Sequence, residues 1–211
     1  MRKAAVAMVL IVSGFLSIQG MAADEDWEFG AQAGYHVPQL DVKDFSPDLL
    51  FYGAAFHYWM NDTSTLDVFV NQLSACRELP IYEDGQETSE EKFFYDALFV
   101  MGGVRYLPEW DIFFTPFLGL GLGIQSWTFR CDLLDDRGGT GIAYYAVAGG
   151  GYRLSSRVRV ELWSRYFYAP FNERLEKEFY LSGSGDVDRE REDLKSAGFI
   201  MLGLELSFKI N

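Results

Sequence analysis

His36 and His57 are the only imidazoles in this 211-residue chain. A hydroxyl or thiol nucleophile needs such a base within reach. His36 is followed by Val37-Pro38 and His57 by Tyr58-Trp59, so neither forms a local His-x-Ser arrangement. The neighbours favour histidines at an aqueous rim or in a polar interior, and no catalytic residue is expected. Asp186, Asp188 and Glu190 have the D-x-D-x-E spacing of a calcium loop, but no glycine follows at the sharp turn and Ala197 takes the twelfth place. A solvated loop is the expectation there. Cys76 and Cys131 have no second Cys or His at ligand spacing, so no metal site is expected.

The remaining chemistry is charge pairing. Glu28, Asp67, Asp96, Arg159, Glu161, Arg165 and Glu205 each stand on the polar side of an alternating segment. Buried ions are costly unless paired. If these seven share one interior, Arg159 and Arg165 are expected to bridge the carboxylates and plug it. The alternative is separate hydration in a narrow passage.

Eight segments carry the period-two pattern of strands with two unlike faces. Trp27 to Val37 sets Trp27, Phe29, Ala31, Ala33, Tyr35 and Val37 against Glu28, Gly30, Gln32, Gly34 and His36. Leu50 to Met60 and Ser64 to Ala75 follow, separated by an Asn61-Asp62 turn. Phe93 to Leu107 groups Phe93, Tyr95, Ala97, Phe99 and Met101 against Phe94 and Asp96, with a bulge expected at Gly102-Gly103. The fifth segment, from Ile112, gives the clearest pattern: Leu118, Leu120, Leu122 and Ile124 oppose Gly119, Gly121, Gly123 and Gln125. A row of glycines on one face leaves room for large side chains inside a narrow barrel. Gly141 to Arg153, Val158 to Tyr168 and Ser196 to Phe208 complete the set.

Long links (about 38–49, 77–92, 130–140 and 170–195) alternate with links of a few residues. Alternation puts every long loop at one end of an antiparallel barrel, as in membrane barrels with short periplasmic turns. Much of the acid, including Glu78, Glu90, Glu91, Asp135, Asp136, Glu176 and Asp193, falls in the long links. The net charge of −13 disfavours nucleic acid, which needs a basic surface. Aromatics at 17% and 21 glycines suit a membrane barrel. After Ala23 no apolar run is long enough for a membrane helix. Residues 1–22 have the basic start, apolar stretch and small-residue end of a signal peptide, with cleavage expected after Ala22; an anchoring helix is the alternative. Residues 23–211 are then one domain. In an exported chain Cys76 and Cys131 are expected to form a disulfide across the second and third long loops. Trp27, Trp110, Tyr106 and Tyr152 are expected in one aromatic girdle, and Phe51, Phe93, Phe129 and Tyr168 in the other.

Gly103-Val104-Arg105-Tyr106, the run from Pro116 to Gly123, and Gly151-Tyr152-Arg153-Leu154 together resemble the small outer-membrane β-barrel superfamily of OmpX, OmpW and the OmpA membrane domain. The resemblance covers nearly all of residues 23–211. It implies an all-β, eight-stranded antiparallel up-and-down transmembrane β-barrel in the bacterial outer membrane. It also makes Gly203, Leu206 and Phe208 the G-x-x-Φ-x-Φ insertion signal read by the barrel-assembly machinery. Two departures are Met201, where a polar residue is usual, and Lys209-Ile210-Asn211 beyond the aromatic. The family's lipid A deacylases use a His-x-Ser motif, which both histidines lack. The implied partners are outer-membrane lipid, the assembly machinery and a surface partner at the long loops; no cofactor is implied. The leading function is a structural or surface-exposed barrel. The alternatives are a narrow pore or conduit for small apolar molecules, and a soluble lipocalin-like carrier, which needs a polar exterior.

Overall fold

The computed structural model describes residues 27–47, 50–83, 86–108, 114–131, 134–181 and 187–210. The expected signal segment, Trp110 and Asp186 lie outside them. Among the described residues nine strands run in chain order: β1 (Trp27–Leu40), β2 (Ser46–Pro47), β3 (Phe51–Asn61), β4 (Ser64–Glu83), β5 (Gln86–Tyr106), β6 (Thr115–Cys131), β7 (Leu134–Arg153), β8 (Val158–Leu181) and β9 (Val187–Ile210). The eight long strands form the barrel, in the order β4-β3-β1-β9-β8-β7-β6-β5, and the β4–β5 pairing closes it. Every wall pairing is antiparallel. Each long strand pairs with the next one along the chain, and β9 returns to β1. This is the expected eight-stranded meander, and closure removes the exposed sheet edges.

The wall is inverted relative to a soluble protein. Leu118, Leu120, Leu122 and Ile124 are between 55% and 66% exposed. Leu66, Val104, Ile142, Leu162, Leu202, Leu204 and Leu206 are also exposed, whereas charged side chains from β1, β3, β4, β5, β8 and β9 are buried inside. Water offers no reason to spread leucines over a whole exterior, because each exposed apolar surface costs about 25 cal/mol per Å². Hydrocarbon does. The exterior therefore excludes the soluble carrier.

The glycines work differently from the sequence expectation. They accommodate side chains from adjacent strands, laid flat over the wall, more than side chains from across the barrel. Trp163 pairs in register with Gly149 on one side and Gly203 on the other. A Cβ at Gly203 would come within 2.5 Å of the Trp163 ring. A Cβ at Gly119 would stand 2.7 Å from Arg105 Cγ. At Gly121 it would collide with the Gly102 carbonyl oxygen and the Tyr145 ring, 2.7 Å from Gly103 Cα. Gly121→Val should therefore sharply lower the yield of folded barrel. The heat-dependent shift of gel mobility measures this, and wild-type yield would refute the close approach.

Several expectations are corrected. No bulge occurs at Gly102-Gly103, because β5 keeps continuous register with β4 and β6 through both residues. The phase of Phe93 to Met101 is the reverse of the one expected. Phe93, Tyr95, Ala97, Phe99 and Met101 point inward and are buried, while Val100, Val104 and Tyr106 point outward. Strand β6 begins at Thr115, after Phe114, and Ile112 lies outside the described residues. Three of the long links are continuations of the wall: β4 and β5 pair up to Glu83↔Gln86, β6 and β7 to Cys131↔Leu134, and β8 and β9 to Leu181↔Val187. The β4 and β8 tips also pair in parallel, Ile81 to Glu83 with Phe179 to Leu181. These strands are not neighbours in the wall, so their hairpins meet over the mouth.

The expected disulfide is not formed. Cys131 is buried on the inner face of β6, in phase with Trp127 and Phe129. Cys76 is out of phase with the inward-facing Ala75 and Arg77 of β4. The two thiols thus lie on opposite sides of the wall, with β5 between their strands.

Candidate functional site: the occupied lumen

The interior divides by height. Near the short turns it holds ions. Arg105 from β5 is the hub: its Nε donates to Asp67 and its Nη1 donates to Glu161 at 2.6 Å. His57 from β3 lies between Asp67, with Nδ1 2.8 Å from Oδ1, and Glu205, which Nε2 contacts. Gln32 Nε2 donates to Glu205 at 2.5 Å, and Ser207 Oγ donates to the same carboxylate at 2.6 Å. Thr65 Oγ1 donates to Asp67 at 3.0 Å. Arg159 lies 3.0 Å from Glu161 and 4.0 Å from Glu28. Four carboxylates, two guanidiniums and one imidazole thus share a compact volume, each member buried. Such a cluster is tolerable because almost every charge has a partner of opposite sign.

Arg165 marks the boundary between the ions and the rings above. Its guanidinium carbon lies 3.7 Å from the Phe69 centroid and 4.2 Å from that of Trp163. Flat guanidinium groups stack on aromatic faces in this way. Towards the long hairpins the lumen is filled by Phe51, Phe69, Phe99, Phe167, Phe199, Tyr95, Phe93, Trp127 and Phe129. Tyr95 stacks on Phe199 at 5.7 Å and Phe93 on Phe129 at 5.5 Å. The segment after β1 folds back into this mouth. Its turn buries Val42 and Phe45, with Phe45 6.1 to 6.4 Å from Phe93, Tyr95 and Phe129. The following β2 pairs with Ala75-Cys76 of β4, beyond the end of the β3–β4 ladder.

Of the seven charges read from the sequence, Glu28, Asp67, Arg159, Glu161, Arg165 and Glu205 all lie in the lumen. Asp96 does not. It sits on the outer phase of β5, its side chain 24% exposed, and pairs with Arg130, whose side chain is 51% exposed. Alternation from the inward-facing Tyr95 and Ala97 forces this. The sequence reading missed the hub itself, Arg105; His57 lies in the polar interior, one of the two placements expected of it. Gly203 faces inward, and Leu206 and Phe208 face outward on β9, so the expected insertion signal presents its two hydrophobic residues on the lipid side. The upper girdle is also corrected. Phe51, Phe93 and Phe129 are lumen residues, and the exposed aromatics towards the hairpins are Tyr35, Tyr52, Tyr144, Tyr166 and Tyr168. At the turn end, Tyr106 and Tyr152 are exposed as expected.

An apolar outer wall around an ion-filled, ring-filled interior defines a membrane-spanning β-barrel. No protein-family model and no curated protein sequence matches the chain. Solved structures do match. Neisserial surface protein A superposes with a TM-score of 0.60 at 14% identity, covering 87% of this chain and 97% of that one. OprG of Pseudomonas aeruginosa gives 0.50 at 12% identity, over 88% and 97% of the two chains. A major outer membrane protein from Thermus thermophilus gives 0.50 at 12%, over 89% and 100%. The fold is therefore that of the small outer-membrane β-barrels.

Proposed function

We propose that this chain is a closed, surface-exposed barrel of the bacterial outer membrane, acting through its outer hairpins and performing no catalysis. The observation that carries the proposal is the occupied lumen: an ion cluster below, a column of rings above, and Phe45 folded into the mouth. Eight strands enclose an interior that side chains can fill, and here they fill it with paired charges and stacked rings. The β4–β5 and β8–β9 hairpins extend the wall and join at their tips, which gives a preformed backbone surface on the outer side. The acidic residues of those hairpins suit a cationic or polar partner. Export through a signal peptide cleaved after Ala22 and insertion through the Gly203, Leu206, Phe208 pattern belong to the same proposal.

In planar bilayers the protein should give no steady, large channel. Long-lived openings at neutral pH would overturn the closed barrel and favour a pore. Protease added to intact cells should cleave within the long hairpins and leave a protected core; protection of all hairpins would overturn surface exposure. A second reading, a conduit for small apolar molecules, draws on the aromatic upper lumen. It requires Phe45 to move, so Phe45→Ala should raise uptake of an apolar dye if that reading holds and leave it unchanged if the barrel is closed.

A further inference from the structure

The turn end of the barrel contains a cavity of about 490 Å³ lined by Trp59, Asn61, Asp62, Thr115, Arg153, Arg159 and Lys209, with Met60 and Gly151 completing its wall. We propose that this vestibule is a binding site for a phosphate-bearing anion. Its cations come from three strands: Arg153 from β7, Arg159 from β8 and Lys209 from β9. They face Asp62 on the lining and Glu28 deeper in, while Glu161 holds Arg159 from below.

Both arginines are held through their faces. Both guanidinium carbons stand over the Trp59 ring, at 5.6 Å for Arg153 and 5.2 Å for Arg159. Cation–π contact fixes a guanidinium plane through its face, leaving the edge donors available. The ion pairs to Glu28 are long, 3.9 Å from Arg153 and 4.0 Å from Arg159, beyond hydrogen-bond distance. Arg159 is only 5% exposed and its Nη2 is anchored from below by Glu161 at 3.0 Å, so it forms the floor of the vestibule and Arg153 its exposed rim. Forked guanidinium donors match phosphate oxygens, and a nearby ammonium adds charge. The volume falls in the range of small-molecule sites and leaves room for an organic body beside the phosphate. A soluble phosphate ester and a phospholipid headgroup share this chemistry.

Isothermal titration of the full, detergent-folded barrel with glycerol phosphate tests the site, independently of where the protein resides in the cell. Saturable binding that weakens at least tenfold in the Arg153→Gln/Lys209→Gln variant supports it. Arg157→Gln, at the neighbouring exposed turn and off the cavity wall, should change affinity less than twofold. Gel mobility with and without heating verifies that each variant is folded. Repeating the titration in phosphatidylglycerol nanodiscs identifies the source: weakened binding indicates a resident headgroup, and unchanged binding a soluble ester. No saturable binding, or binding that the double variant retains, overturns the proposal. So does binding that appears only after Asp24→Asn/Glu25→Gln/Asp26→Asn, because the chain's own acidic segment before Trp27 would then be the occupant.

Discussion

Arg105→Leu should lower the unfolding free energy of the barrel by about 3–5 kcal/mol, the range for removing one partner of a buried ion pair. Arg105 donates to Asp67 and Glu161, and both carboxylates are buried. Without it, two negative charges remain in a volume already holding Glu205, with His57 beside Asp67 and Arg159 beside Glu161 as their remaining charged contacts among those described. Most of the loss comes from the stranded carboxylates, so it should be partly recoverable. Adding Asp67→Asn and Glu161→Gln to Arg105→Leu should restore a substantial part of it, a coupling that independent sites do not show. Urea unfolding in lipid vesicles, followed by tryptophan fluorescence, measures each variant. A loss under 1 kcal/mol for Arg105→Leu would mean that water fills the lower lumen and solvates these groups.

Leu122→Arg and Leu204→Arg should each cost about 2–4 kcal/mol in vesicles, the penalty for a cation on the lipid face at mid-membrane. Both residues point outward. Leu122 pairs with Gly102 and Tyr144, and Leu204 with Ala33 and Leu162, well inside the wall. The corresponding change at Leu154, in the exposed turn between β7 and β8, should cost less than 1 kcal/mol. An exposed leucine in water tolerates arginine with little effect. The contrast between wall and turn therefore separates a lipid-facing surface from an aqueous one, and equal, small costs at all three sites would contradict the membrane assignment.

Most of the fold was legible because period-two alternation survives wherever one face is polar. Strands β1, β6, β8 and β9 show this: Glu28, Gln32, the β6 glycines, Arg159, Glu161 and Glu205 mark the inner face unambiguously. Alternation says that two faces differ, not which one points in. On β5 both faces are apolar, with Phe94, Leu98 and Val100 opposing Phe93, Tyr95 and Phe99. Assigning the richer aromatic face to lipid inverted the strand, required a slip at Gly102-Gly103, and placed Asp96 in the lumen. Arg105 held the missing signal. Arg105 and Asp96 demand opposite phases; Asp96 is neutralised outside by Arg130, and counting back in twos from Arg105 reaches Met101, Phe99, Ala97, Tyr95 and Phe93.

The same cause explains the misplaced girdle. The upper lumen is apolar, so Phe51, Phe93 and Phe129 read as lipid-facing when their hydrophobicity serves the plug. The outer hairpins read as loops because of their many charges, yet backbone pairing continues through them.

The most direct measurement is spin-label accessibility in vesicles, with single cysteines placed at Leu120, Gly121, Leu122 and Leu204 in a background lacking Cys76 and Cys131. Labels at Leu120, Leu122 and Leu204 should be reached by oxygen, which concentrates in hydrocarbon, and shielded from a water-soluble nickel chelate. A label at Gly121 should sharply lower folded yield, and in the barrels that do form it should be shielded from both. Free access of the nickel chelate to the three leucine positions would show that the exterior faces water, and the account would fail.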